Sequence, residues 1–306
     1  MDIDVLGALD VRENEVSIAP TAPKPRQVLA LLALRAGQVV PVGVLAEELW
    51  GSKPPRSARA TLQTYILQLR ELITAALDHG AADGTGTRAA DAAGHGAGAA
   101  GHGAGGGAGD RAGGGQRRLA KDVLLTVPGG YLLKNGDGTS DVRKFERLAG
   151  FGYRAMDAED YPQAARLLRQ ALGLWTGPAL ADVQAGPQLQ TEVKRLEESR
   201  LCALDQRVEA DLRLGRHREL LAELTVLVNR YPTHESLCGQ YMLALYRSGR
   251  RGEALDAYQR LRATLVRTMG LEPSSPLAKL QRSILMSGSD SLPAHPAAGA
   301  SAAPVG

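Results

Sequence analysis

A basic stretch without acidic residues lies between Gly51 and Arg70. Its cations are Lys53, Arg56, Arg59 and Arg70, and it contains no Asp or Glu. Arg and Lys bind phosphate oxygens and guanine, and Gln and Thr can bond to base edges. These residue types therefore support noncovalent recognition of double-stranded DNA. The same charges also suit an ordinary solvated helix face, which is what most charged faces are.

Ten side chains of suitable chemistry are candidate DNA contacts. Gln63 and Thr64 are assigned to base edges, and Gln68 is assigned to the margin of the interface. The basic candidates are assigned mainly to phosphates, and they are Lys53, Arg56, Arg59 and Arg70 in the stretch and Lys24 and Arg26 before it. Thr126, on a later hairpin, is a further phosphate candidate.

One amphipathic helix is predicted to carry most of this chemistry. Its apolar residues recur at helical spacing, and they are Leu62, Ile66, Leu69 and Ile73, with Tyr65 and Leu72 widening the stripe. Ser57 can cap the helix after the helix-breaking pair Pro54–Pro55. One face of this helix should therefore pack on a core, while the opposite face presents the polar candidates.

The sequence pattern of residues 1–137 predicts an α+β winged helix-turn-helix domain with small antiparallel sheets. Short apolar runs between residues 3 and 18 indicate the first sheet. Two helices that end at Gly37 and Gly51 precede the helix that begins at Ser57, with Val39–Val40 as an extended link. A strand, a Pro-Gly-Gly turn and a second strand over residues 123–133 predict a hairpin. The hairpin would be the wing, and the Ser57 helix would enter the major groove.

A Gly- and Ala-rich insertion at about 78–118 interrupts this domain. It has no apolar anchors to offset its ordering entropy, so we predict that it is disordered. Its histidines supply neither a fixed geometry nor a second ligand type, so no metal site is predicted. Residues 287–306 are rich in Ser, Ala, Pro and Gly and predict a disordered tail.

Residues 141–286 predict an all-α domain of tetratricopeptide-like helical repeats. Similar segments begin near Asp160, Gly215 and Gly249, and the last two starts are 34 residues apart, which is the tetratricopeptide period. Residues 175–187 are predicted to be an insertion in the first repeat. Stacked repeats of this kind present extended surfaces to protein partners.

Composition excludes several other classes of protein. The chain has 306 residues, a formal net charge of +3 and a 44% hydrophobic content, which is enough for two packed domains. It contains no phosphate-binding GxxxxGK[ST] motif, no GxSxG and no HExxH, so neither an enzyme nor a cofactor is predicted.

The two cysteines, Cys202 and Cys238, lie in apolar helical patterns. They are interpreted as small core residues of a protein in a reducing cytoplasm. No signal peptide or membrane span is recognised, so a soluble cytoplasmic protein without a membrane partner is expected.

Several segments together resemble the Streptomyces antibiotic regulatory proteins. The segments are DVLGALDV, PKPRQVLALLAL, LAEELWG, PPRSARATLQTYILQLR, LLTVPGGYLL, RLLRQALGLWTGPALAD and QYMLALYRSGR. The resemblance implies an OmpR-type winged helix joined to a bacterial transcriptional activator domain, in the short form without an ATPase module. It also implies activation of antibiotic or other secondary-metabolite genes by binding to direct repeats near the −35 element, with recruitment of RNA polymerase through its sigma and alpha subunits. A homodimer on DNA is a further expected partner.

Two other functions remain open at the level of sequence. The helical repeats could form a protein-interaction scaffold whose N-terminal domain does not bind specific DNA, or the same DNA-binding module could act as a repressor. The acid-free stretch followed by a wing favours DNA binding over a scaffold. The sequence names neither the target promoter nor any small-molecule signal.

Overall fold

The computed structural model describes residues 1–90 and 118–286 and begins with a small antiparallel sheet. Its strands lie in the order β1 (Asp2–Asp4), β2 (Asp10–Glu13) and β3 (Val16–Ser17), with Ile3 opposite Val11. Asn14 and Glu15 have positive φ angles of 50° and 64°, which close the tight turn between β2 and β3. The predicted first sheet is confirmed.

Three helices follow and form the helix-turn-helix. They are α1 (Pro23–Leu34), α2 (Val42–Trp50) and α3 (Ala58–Ala90). Helix α1 starts with a proline, which fits because the N–H of a first helical residue has no partner within the helix. Shortly after the helix ends, Gly37 adopts a φ of +84°, a conformation that favours glycine. The apolar stripe of α3 is buried, as predicted, and belongs to the same core as the buried residues of α1 and α2.

The wing belongs to a second three-stranded sheet. After the short helix α4 (Ala120–Val123), the hairpin strands β5 (Leu124–Val127) and β6 (Gly130–Leu133) pair antiparallel, which confirms the predicted hairpin. β6 also pairs with β4 (Val39–Pro41), so the sheet order is β4-β6-β5. The extended link predicted at Val39–Val40 is therefore a strand. A Cβ atom at Gly130 would lie 2.4 Å from the Val40 carbonyl oxygen, so this close pairing requires glycine.

The remaining helices confirm the predicted all-α region. They are α5 (Asp141–Asp157), α6 (Tyr161–Leu172), α7 (Pro187–Arg213), α8 (His217–Arg230), α9 (Glu235–Arg247), α10 (Arg251–Met269) and α11 (Ser275–Met286). Helix α9 packs against α8 and α10, which buries residues such as Leu224, Met242 and Leu261 in one cluster. The buried carboxylate of Asp211 accepts from three arginines, Arg169, Arg207 and Arg216, which offset the cost of burying its charge.

Contacts divide the chain into two compact units. The first comprises residues 1–147 and 173–199, and the second comprises residues 148–172 and 200–306. Residues 173–199 include the predicted repeat insertion, and Leu180 and Leu189 belong to the core that also contains α1, α2 and α3. The first unit is thus built from two separate stretches of sequence. In the parts of the chain that are described, no helix has both the length and the apolar character needed to cross a bilayer.

Two sequence predictions need correction. Helix α3 continues to Ala90, so order does not end at residue 78. Four alanines between residues 79 and 90 favour the helix, and the three glycines there weaken it. Most of the remaining insertion and the predicted C-terminal tail lie outside the described residues. Cys202 is exposed, because it falls on the outer side of α7, whereas Cys238 is buried as predicted. Burial raises the pKa of the Cys238 thiol to about 12, which keeps it protonated at neutral pH.

The apolar stripe of α3 generates a stability prediction. Leu62 is 1% exposed, so Leu62→Ala should lower the free energy of unfolding by about 2–5 kcal/mol through lost burial and a residual cavity. Both tryptophans, Trp50 and Trp175, lie in the first unit, so their fluorescence during urea denaturation reports its unfolding. Leu67→Ala on the exposed side of the same helix is the matched control and should shift the midpoint little. Equal midpoints for the two variants would show that the face assignment is wrong.

Candidate nucleic-acid interface

The outer face of α3 presents the polar side chains that the sequence singled out. Four of the candidate side chains are exposed on this face: Arg59, Gln63, Thr64 and Gln68. On the opposite face, the side chains of the apolar stripe are at most 2% exposed, and they are Leu62, Ile66, Leu69 and Ile73. The hydroxyl of Thr64 donates to the Ala60 carbonyl oxygen one turn earlier (3.2 Å), which leaves its oxygen able to accept hydrogen bonds. The helix therefore offers donors and acceptors of the kind that base edges require.

The segment that leads into α3 is also positively charged and accessible. Lys53 and Arg56 are exposed on either side of Pro54–Pro55, and neither they nor Arg59 forms an ion pair with any described residue. These three cations therefore remain available for an anionic partner at the N-terminal end of α3. That end also carries the partial positive charge of the helix dipole, which adds to the attraction for phosphate.

Arg70 and Thr126 are hydrogen-bonded to each other at the surface of the first unit. The guanidinium of Arg70 donates from Nε and Nη2 to the Leu124 carbonyl oxygen (3.1 and 2.9 Å), and Nη2 also donates to Thr126 Oγ1 (2.8 Å). These bonds connect α3 to strand β5 of the wing. Arg70 therefore fixes the position of the wing relative to α3, a role that the sequence did not predict, and its assignment to phosphates stays a prediction.

Lys24 and Arg26 also bond within the first unit. Lys24 Nζ donates to the Leu49 carbonyl oxygen at the end of α2 (2.7 Å). Arg26 donates to the carbonyl oxygens of Leu9 (2.8 Å) and Pro20 (3.1 Å), and it forms an ion pair with Asp182. These two cations hold α1 to α2 and to residues 173–199. Their assignment to DNA phosphates remains a prediction, with most of their donors already engaged.

A buried carboxylate orients the helix that precedes α3. Glu48 of α2 is 2% exposed, and its oxygens accept from the backbone N–H groups of Gly186 (2.6 Å), Gln188 (2.9 Å) and Leu189 (2.9 Å). Gln27 Nε2 donates to the same carboxylate (2.7 Å). The N-terminal N–H groups of α7 thus bind the negative charge, as helix N-termini commonly do. We call this set of bonds the Glu48 clamp.

The sequence did contain a signal for the Glu48 clamp. Glu48 lies beside Leu49 and three residues after Leu45, so it occupies a core position of an amphipathic helix. An acid at such a position needs buried partners. Gly186 is required as well, because a Cβ atom there would lie 2.0 Å from the Glu48 carbonyl oxygen. Sequence reasoning missed both residues because their partners are about 140 positions away.

The N-terminal sheet is held by a similar arrangement. Asp141 Oδ2 accepts from the N–H groups of Val5 and Leu6 (2.7 Å each). Burial raises the pKa of Asp141 despite these bonds. Asp182 accepts from the N–H of Leu9 (2.7 Å), and a Cβ atom at Gly7 would lie 1.9 Å from Thr176 Oγ1. Residues 141–147 and 173–199 therefore complete the unit that carries α3.

Together, the fold and the exposed face of α3 define a DNA-binding transcription regulator of the winged-helix class. Residues 17–81 match the family described as "Transcriptional regulatory protein, C terminal", and residues 140–285 match "Bacterial transcriptional activator domain". The chain is 48% identical to the regulatory protein DnrI of Streptomyces peucetius over 93% of its length and 92% of the relative. It belongs to the Streptomyces antibiotic regulatory protein family of transcriptional activators, which confirms the resemblance seen in the sequence.

More distant relatives extend the comparison. The regulatory protein AfsR of Streptomyces coelicolor is 34% identical, and the match covers 92% of this chain but only 24% of that relative. The transcriptional regulator RedD of the same species is 30% identical over 93% of this chain and 70% of its own length. A solved structure of Mycobacterium tuberculosis EmbR in complex with a low affinity phosphopeptide has a TM-score of 0.73 at 29% identity, covering 93% of this chain and 64% of that chain. The winged-helix and helical architecture is therefore shared with a solved structure.

The Glu48 clamp generates a second stability prediction. Glu48→Gln keeps the volume of the side chain but replaces one acceptor oxygen by an amide NH₂ group. The buried N–H donors that faced this oxygen lose their acceptor, which should cost about 1–3 kcal/mol of stability for each donor. The free energy of unfolding of the first unit, followed by tryptophan fluorescence in urea, should fall accordingly. Glu47→Gln is the matched control, because the neighbouring exposed carboxylate accepts a single bond from Gln188 Nε2 (3.0 Å). Identical midpoints for the two variants would contradict a stabilising clamp.

Proposed function

We propose that this protein is a sequence-specific activator that binds tandem direct repeats near promoter −35 elements and recruits RNA polymerase. The observation that carries the proposal is the exposed surface formed by α3 and the segment before it. It combines the cations Lys53, Arg56 and Arg59 with polar side chains suited to base edges, and it contains no acidic residue before Glu71. The genes that it controls are proposed to be those of an antibiotic or another secondary metabolite, in line with its family.

The proposal assigns different tasks to different parts of the chain. DNA recognition belongs to α3 and the wing, which the Arg70 bonds and the Glu48 clamp hold in place. The helical repeats, by contrast, offer extended surfaces to protein partners, and we assign contact with the sigma and alpha subunits of RNA polymerase to them. A winged helix reads a short site, so two copies on adjacent repeats would gain affinity through effective concentration. Direct repeats require a head-to-tail arrangement of those copies on the DNA.

The contribution of Arg59 to DNA binding can be measured through the dependence of affinity on salt. Each phosphate contact releases condensed counterions when it forms. Arg59→Ala should therefore weaken binding to all sequences, and it should reduce the magnitude of the slope of log affinity against log salt concentration by about one. Arg12→Ala is the matched control, because it removes the same charge from strand β2. An unchanged slope for Arg59→Ala would remove Arg59 from the phosphate contacts. A full chain without salt-dependent, sequence-specific binding would favour the scaffold alternative.

Activation at tandem repeats requires a separate experiment. Duplexes selected from a random library by the full chain supply the recognised repeat. A duplex with two such repeats should bind about tenfold or more tightly than a duplex with one. The control duplex contains five additional base pairs between the repeats, about half a helical turn, which places the second site on the opposite face of the DNA. Equal affinities for all three duplexes would contradict paired binding.

Transcription in vitro with purified RNA polymerase then separates activator from repressor. The full chain should increase the transcript from a promoter that contains the properly spaced repeats, and the altered spacing should abolish that increase. A decrease in transcript from the properly spaced promoter would identify a repressor that uses the same DNA-binding unit.

A further inference from the structure

A large apolar side chain lies in the middle of the polar face of α3. Leu67 is 58% exposed, whereas Leu62 and Leu69 on the same helix are at most 1% exposed. It is not part of the hydrophobic core cluster that includes the other side of α3. Leu67 is not among the ten candidate DNA contacts predicted from the sequence.

Helix geometry places Leu67 beside the side chains assigned to base edges. Leu67 follows Thr64 by three residues and Gln63 by four, and residues at these spacings are neighbours on a helix surface. Gln68, the next residue, is also exposed. Leu67 therefore extends the row formed by Gln63 and Thr64 by about one turn, or roughly 5 Å along the helix.

Leu67 lies in the part of α3 that precedes its first acidic residue. The first exposed acid on this face is Glu71, one turn further along, and a carboxylate there would be repelled by phosphates. The segment of α3 that can lie deep in a groove thus ends between Leu67 and Glu71. Recognition helices contact base edges chiefly with their N-terminal residues, which agrees with this limit.

An exposed leucine at this position has a specific counterpart in DNA. The major groove displays one apolar group, the C5-methyl of thymine, and apolar side chains recognise thymine through it. Leucine cannot form a hydrogen bond, so at a cytosine, adenine or guanine it would cover polar atoms without replacing their bonds to water. The face would then combine hydrogen-bonding readers with one reader of methyl groups.

We propose that Leu67 is a specificity-determining residue that selects thymine in the recognised repeat by apolar contact with its C5-methyl group. The inference rests on the proposed binding of α3 in the major groove. It assigns to Leu67 a contribution to base selection and none to phosphate binding.

The methyl contact is tested first with the unaltered full chain. In a duplex selected from a random library, each thymine of the repeat is replaced in turn by deoxyuridine, which keeps all hydrogen-bonding groups and lacks only the methyl. Loss of one buried methyl should weaken binding about three- to fivefold at one or two thymines. If the library yields no preferred sequence, the proposed function itself fails. If a preferred sequence is bound and no thymine responds, only the role of Leu67 is refuted.

A variant then assigns the methyl contact to Leu67. Leu67→Ala should bind the thymine duplex several-fold more weakly and should no longer distinguish thymine from deoxyuridine at the responsive position. The matched control is Leu119→Ala, which truncates another leucine of the first unit that is also 58% exposed and should keep the full response. The slope of affinity against salt should stay unchanged in Leu67→Ala, because no phosphate contact is lost.

Two results would overturn this assignment. The first is a Leu67→Ala variant that still loses affinity on removal of the same methyl group. The second is a variant that binds all duplexes normally but stimulates less transcription, which would make Leu67 a contact for protein.

Discussion

The burial of a single carboxylate is the constraint on which the DNA-binding unit depends. Removal of the Glu48 charge from water is costly, and the cost is offset only if every lone pair finds a donor. Three backbone N–H groups at the start of α7 and one side-chain amide supply those donors. Because few residues separate α2 from α3, an anchored α2 also sets where α3 begins. The position of α3 is thus set by residues that lie far away in sequence.

The cations of the candidate interface divide into bonded and accessible ones. Arg70 uses three hydrogen bonds to hold the wing beside α3, and Arg26 joins α1 to Asp182. Lys53 and Arg56, which precede α3, are exposed and form no ion pair with a described residue. An arginine side chain that is already bonded within the protein loses those hydrogen bonds if it turns toward a phosphate. An exposed arginine gives up only hydrogen bonds to water. The accessible cations before α3 are therefore the stronger candidates for phosphate contacts.

Local patterns in the sequence were sufficient for much of the fold but not for its long-range pairing. The stripe from Leu62 to Ile73 and the Pro-Gly-Gly hairpin were predicted because helical periodicity and turn chemistry act within a few residues. The pairing of Val40 with Tyr131 and the contacts of Glu48 with residues 186–189 were not predicted. Such pairs are joined only by folding, and no short window of sequence contains both partners. The exposed Cys202 shows a related limit, since a single apolar residue in a long helix does not by itself reveal which face it occupies.

The discontinuous first unit has a consequence for synthesis on the ribosome. The chain passes from one unit to the other three times, and the first unit is complete only at residue 199. Bacterial translation adds about 5–20 residues per second, so the segment that contains Gly186 and Leu189 follows Arg147 by some seconds. During that interval Glu48 lacks its backbone donors, and the core lacks Leu180 and Leu189. A nascent chain therefore acquires a fully anchored α3 only after residue 199 has been made.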